Sequence, residues 1–420
     1  MRLGISRPPC YPLTGSWVNS ENFGPDEHSL LRVNHYIHSK GYKATAGRLG
    51  PMVAIVSACH PDTVKPMLKE PKLRQVYDLL DPWLGKGLLT IEDGPKWHRN
   101  RHLLTPAFHY SILKGYVSVY NECLQQLFRK WDTSAKLNEP VLVFHTMKHA
   151  CKVVHAHAEI IIKKRRNALG LEGSNKGLNP GSESQDIFNH ITKSRHLDFL
   201  DILLTAVDDD GVGLTDTEIR NEVDTFMFEG HDTTTSGMSW TLYCLAKHPQ
   251  HQEKVHEEVR RVLNGRESLE YEDLKELKYT QWCIKEAMRL YPPVILIFRE
   301  ASRDMEIDGI KVPKGVWLGI PTYHLHHNPT IWPDPEKFDP LRFEPSNAEG
   351  RDPYAYLAFS AGSRNCIGQN FAINEEKVVV ASIVNRYRLS IVEDHVVEML
   401  PVIVLRAKYD IKLHLEPLLD

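Results

Sequence analysis

The sequence predicts a mainly α-helical fold with small β-sheets, and three features carry that expectation. The first is a long apolar run from Thr215 to about Lys247, opened by Thr215 and Glu218 at capping-box spacing and closed by His248-Pro249. The second is a set of shorter helical patterns before and after it. The third is that strand-like runs are few, short and bounded by Gly or Pro, as in GPMVAIVSA and on either side of Asp308-Gly309.

Taken in order, a lead containing Pro8, Pro9 and Pro12 gives way to a helical pattern at SLLRVNHYIHSKGY and then to the GPMVAIVSA strand. GPKWHRNRHLLTPAF, from Gly94, predicts a basic amphipathic helix with Pro95 in its first turn, where a missing N–H costs nothing. Residues 168–190 are rich in Gly, Ser and Asn without periodicity and predict a surface loop joining two helices. The 215–247 helix follows and is expected to be largely buried. After Tyr291-Pro292-Pro293 come two short strands joined at Asp308-Gly309, then irregular Pro-rich sequence from Asn328 to Tyr356. A last helix starts beyond Gly368. Residues 1–420 are expected to form a single domain.

Composition narrows the function. Fifty-one Lys and Arg against 54 Asp and Glu leave a net charge of -3, which offers no global field for nucleic acid. The seven cysteines are scattered, odd in number and never in a CxxC pair, which argues against a disulfide framework or a zinc ribbon. The N-terminus has no apolar anchor, and no window reaches the length and apolarity of a membrane-spanning helix.

The most informative run is FSAGSRNCIG, which sets Phe359, Gly362, Arg364, Cys366 and Gly368 at fixed offsets just before a helix. A sulfur at a helix N-terminus faces unpaired N–H groups and the positive end of the dipole, which favour the thiolate an iron ligand needs. A lone cysteine in a Gly-containing turn is ordinarily a buried structural residue, but the five-point pattern outweighs that. FxxGxRxCxG resembles the haem-binding signature of the cytochromes P450, and it is matched here without substitution.

That resemblance implies roles for further residues. Glu286 and Arg289, one helical turn apart, resemble the ExxR pair that locks with an arginine of the following meander, here Arg342 in FDPLRF. FEGHDTT, in the long helix, resembles the oxygen-activation motif, with Thr233 to hydrogen-bond dioxygen, Asp232 to relay protons and Gly230 to leave room. On its own, a Thr inside a helix more often bonds back to the carbonyl one turn earlier. The glutamate makes the run similar to the fourth family of these enzymes, fatty-acid omega-hydroxylases and their relatives, in which Glu229 can be esterified to a haem methyl. Trp97, Arg101, Arg299 and Arg364 are implied as partners of the haem carboxylates. The expected activity is insertion of one oxygen atom of O2 into a C–H bond of a lipophilic substrate, a fatty acid or eicosanoid. Haem b is the expected cofactor. NADPH-cytochrome P450 reductase is the expected electron donor, with cytochrome b5 as a second, at the cytoplasmic face of the endoplasmic reticulum membrane.

Two departures stand against the resemblance. The apolar N-terminal anchor of microsomal members is absent from this sequence. After VLVFHTM the chain also passes directly to KHACKVVHAHAEIIIKKRRNAL, which resembles helix G, so helices D, E and F are expected to be missing and the fold incomplete in both core and roof. One buried helix face of about 400 Å² is worth about 10 kcal/mol, comparable with a whole domain's net stability. Two rivals follow: a haem-binding but catalytically inactive truncated form, and a cysteine hydrolase, which would need a histidine base that no motif supplies.

Overall fold

The computed structural model describes residues 27–49, 53–146 and 199–418. The N-terminal prolines, the segment resembling helix G and the 168–190 loop lie outside them. Among the described residues the architecture is mainly helical with small sheets. Helices α1 (Glu27–Ser39), α2 (Pro61–Leu68), α3 (Pro95–Leu104), α4 (Tyr110–Lys136), α5 (Phe199–Thr205), α6 (Asp216–Lys247), α7 (Pro249–Leu263), α8 (Lys278–Leu290) and α9 (Gln369–Arg386) are its principal members. Strands β1 (Ala44–Leu49), β2 (Val53–Ala58), β3 (Val141–Leu142), β4 (Ile297–Glu300), β5 (Met305–Ile307), β6 (Ile310–Val312), β7 (Trp317–Ile320), β8 (Tyr387–Ile391), β9 (Met399–Leu400), β10 (Arg406–Ala407) and β11 (Lys412–Pro417) form four small sheets.

Each long element has a local cause. The α6 capping box forms: Thr215 Oγ1 accepts from the Glu218 amide at 3.3 Å and the Thr215 amide donates to Glu218 Oε2 at 2.9 Å. The expected burial of α6 holds for its C-terminal half, where every residue from Thr234 to Ala246 is buried, whereas its first half is mostly half-exposed. Pro95 opens α3 behind Gly94. Asp308 and Gly309 both take positive φ, 50° and 76°, the turn that lets β5 and β6 pair as a tight hairpin. The main sheet runs β1-β2-β7-β4, with β2 and β7 parallel, and carries Arg299 inward on β4.

The expected loss of core is met only in part. In α4 the apolar residues Leu113, Val117, Tyr120, Leu124, Leu127 and Trp131 recur every three or four positions, and all are buried. All but Leu113 share one core with Trp240 and Leu245 of α6, Ile284 and Ala287 of α8, and Val380 and Ile383 of α9. A 27-residue helix that the sequence reading left unmarked thus gives the central bundle a further member.

Where α6 meets α9 the packing is close. A Cβ on Gly237 would fall 2.3 Å from Glu376 Oε1, and Glu376 is itself buried, its Oε2 without a hydrogen-bond partner among the described residues. Burial, then the neighbouring Glu375, push the Glu376 carboxyl well above its usual 4.5. A raised carboxyl stabilises the fold fully below its unfolded pKa and loses that contribution as pH rises towards the folded one. The melting temperature is therefore expected to fall from pH ~5 to ~8, and to fall less in Glu376→Gln. Equal slopes in thermal melts of the two proteins would rule out the contribution.

Candidate active site

Short-range backbone bonds build the cysteine loop. The Cys366 amide donates to the Phe359 carbonyl at 2.9 Å, and the Asn365 amide to the Gly362 carbonyl at 3.1 Å. Gly362 sits at φ +78°, where a side chain would be strained, with the Leu68 carbonyl 3.6 Å from any added Cβ. Gly368 caps α9, so Cys366 lies at the N-terminus of that helix as expected. Cys366 is one of the residues lining a cavity of about 840 Å³, with Arg101, Phe108, Ile112, Ile202 and Asn365.

The thiol does not behave as the helix terminus alone would dictate. Burial, reinforced by the Glu229 carboxylate, pushes Cys366 up to about 11 against the opposing pull of the Gly368 N–H and of Arg101. The Gly368 N–H and Arg101 favour the anion while desolvation opposes it, and a cation bound to the sulfur tips the balance towards the thiolate.

The cations take distinct places. Arg101, expected at a haem carboxylate, donates from Nη1 to the Asn365 carbonyl and from Nη2 to Asn365 Oδ1, both at 2.9 Å, and so props the cysteine loop. Arg364 pairs with Asp93 at 2.6 Å and lies 3.8 Å above the ring of buried Trp97. Arg299 is 2% exposed, and its Nε has no hydrogen-bond partner among the described residues.

On α6, Thr233 Oγ1 donates to the Glu229 carbonyl at 2.6 Å, the back-bonded geometry usual for a helical threonine, which leaves its lone pairs available to a donor. Asp232 is paired with Arg406 of β10. Around Gly230 an added Cβ would meet nothing within 4 Å. Burial raises the Glu229 carboxyl to about 7 although Lys72 and Arg101 oppose it. Phe228, next in sequence, meets the half-exposed Trp83 ring edge-on at 4.8 Å.

Glu286, Arg289 and Arg342 meet behind this site. Arg289 grips Glu286 with two bonds of 2.8 Å and donates to the His326 carbonyl, while Arg342 Nε stands 3.3 Å from Glu286 Oε1. The Asp339 amide donates to the same carboxylate oxygen at 2.9 Å. Sequence reasoning missed Asp93, Asn365, Lys72 and Arg406; Arg406 lies 174 residues from Asp232, and no motif marks it.

These residues suit an iron macrocycle with acidic edge groups. Among the described residues no group of three or more His, Cys, Asp or Glu converges on a point, so a metal at Cys366 must bring its remaining ligands with it. Arg299, buried with an Nε donor that no described residue satisfies, suits an acidic group of a bound ligand.

The profile of the family described as Cytochrome P450 matches residues 6–145 and 138–414. Cytochrome P450 4B1 of Rattus norvegicus is 39% identical over 476 aligned positions, covering 98% of this chain and 89% of the relative. The Ultra-long-chain fatty acid omega-hydroxylase of Homo sapiens is 38% identical, covering 96% and 86%, and Leukotriene-B4 omega-hydroxylase 3 of Mus musculus is 38% identical, covering 88% and 82%. The first alignment is longer than the 420-residue chain, so that relative carries residues without a counterpart here. Two of the three relatives are named for a hydroxylase activity, which lends the inactive alternative no support. A cysteine loop at a helix terminus, a buried arginine suited to an acidic group and these two independent matches converge: the chain belongs to the cytochrome P450 family, in its fourth-family branch.

Proposed function

We propose that this protein hydroxylates a fatty acid or eicosanoid near the end of its chain, as a haem-thiolate monooxygenase. The observation that carries the reading is Cys366, held at the α9 N-terminus in a loop closed by the Phe359 carbonyl. The substrate class rests on the hydroxylases named above and on the apolar Trp83–Phe228 pair beside Glu229. Haem, held through Cys366, Arg299 and Arg364, would supply the activation of O2, one atom of which enters the substrate C–H bond while the other leaves as water with two protons and two electrons.

The chain's part is to bind, orient and deliver protons. Asp232, its carboxylate held by Arg406, would take up a proton from water and pass it on. Thr233 Oγ1, anchored to the Glu229 carbonyl, keeps its lone pairs for that proton. Glu286, Arg289 and Arg342 keep the cysteine side of the molecule rigid. Glu229 would form an ester to a haem methyl. Electrons would arrive on the Cys366 side from NADPH-cytochrome P450 reductase or cytochrome b5. The setting would be the cytoplasmic face of the endoplasmic reticulum; among the described residues no helix is long and apolar enough to cross a membrane.

The test is spectroscopic and then catalytic. Reduced protein under carbon monoxide is expected to absorb at about 450 nm, and with reductase, NADPH and laurate to yield a product hydroxylated near the chain end. Haem uptake with that band but no turnover of any fatty acid or eicosanoid would defeat the substrate assignment.

A further inference from the structure

The cations already assigned to the cofactor edge have an unassigned neighbour. Lys72 faces Arg299 across an antiparallel β-bridge, so the two side chains start from adjacent strands. The Lys72 amide donates to Asp93 Oδ2 at 2.7 Å, while Asp93 Oδ1 receives Arg364 Nε at 2.6 Å. One carboxylate thus fixes the backbone of the lysine and the head of the arginine. Both heads then approach the same short loop: Lys72 Nζ donates to the Leu89 carbonyl, and Arg364 reaches the Leu88 and Ile91 carbonyls at 3.4 Å. The Lys72 ammonium also lies 4.0 Å from the centre of the Tyr77 ring, and the Tyr77 hydroxyl stands beside Arg299.

We infer that Lys72 is a third cationic contact of the cofactor's carboxylate edge, beside Arg299 and Arg364, with Tyr77 holding the lysine and Arg299 in register. The inference rests on the haem reading above. Against the three cationic heads stand Asp93, which binds the Arg364 head and is partly open to solvent, and the Glu229 carboxyl that faces Lys72, so the cluster keeps a surplus of positive charge. An acidic cofactor edge matches that surplus in sign. Crowding works in the same direction: burial and the Arg364 guanidinium pull the Lys72 ammonium down to about 7, a strain that an arriving anion relieves. No motif marks Lys72, because Lys72, Asp93, Arg299 and Arg364 come from four separate segments.

The test measures cofactor release rather than turnover. Because an ester through Glu229 would hide dissociation, all proteins carry Glu229→Ala, and transfer of haem to excess apomyoglobin is timed. Lys72→Met is expected to release haem about tenfold faster than this parent, Lys72→Arg at close to the parental rate, and Arg299→Met, as a control, faster than the parent. The ferric/ferrous potential of Lys72→Met is expected to move to more negative values, since a lost cation favours the more positive ferric centre. Lys72→Gln is the second variant should the methionine protein fail to fold. Parental release and potential in the lysine variants beside fast release from Arg299→Met would overturn the role of Lys72 alone. A parent that takes up no hemin would overturn the haem reading and this inference with it.

Discussion

Replacement of Cys366 by serine is expected to remove the absorption at about 450 nm and reduce fatty-acid hydroxylation below detection, while the protein keeps its helical content. The environment already opposes an anion here: burial and Glu229 lift even a thiol to about 11. An alcohol is a far weaker acid than a thiol, so the bound metal would have to extract its proton against the same desolvation. An oxygen ligand also donates less electron density than sulfur. The substitution is nearly isosteric, and the loop bonds at Phe359 and Gly362 are made by backbone, so the fold has little reason to change. Carbon-monoxide spectra and laurate turnover check the first part and circular dichroism the second; a variant that kept both the band and the turnover would remove sulfur from the iron.

The second large effect is structural. Glu286→Ala is expected to cost roughly 3–5 kcal/mol, because it leaves a fully buried guanidinium without its partner. Glu286 also receives the Asp339 amide and faces Arg342, so one truncation frees three donors from two segments. Against a net stability of about 5–15 kcal/mol that is a large share, and the chain lacks residues that its relatives have. The expected outcome is little or no soluble haem-loaded protein at 37 °C and a lowered denaturant midpoint in whatever folds. Arg289→Lys by itself should also lower the midpoint, since an ammonium cannot reproduce the two parallel N–H bonds to Glu286. A midpoint unchanged in Glu286→Ala would mean that these three residues do not act as a lock.

Features legible in the sequence were those whose causes are local. The Thr215–Glu218 capping box and the Asp308-Gly309 hairpin each span a handful of residues and use bonds that neighbours make with one another. The cysteine loop is of the same kind, with six residues between Phe359, whose carbonyl accepts, and Cys366, whose amide donates. Helix α4 was open to a periodicity count and was missed only because no chemical motif drew attention to it. The back-bond of Thr233 to the Glu229 carbonyl is local in the same way, whereas Arg101 meets Asn365 across 264 residues, a contact that spacing cannot supply.

By itself, then, the chain's order of residues determined the helical class, the sulfur loop and the family, because those depend on spacing along the backbone. Only the tertiary structure decided which charges face one another and what the thiol's surroundings do to its proton. Lys72, Asp93, Arg299 and Arg364 meet from segments far apart in sequence, and burial is set by everything packed around a group rather than by its neighbours in the chain.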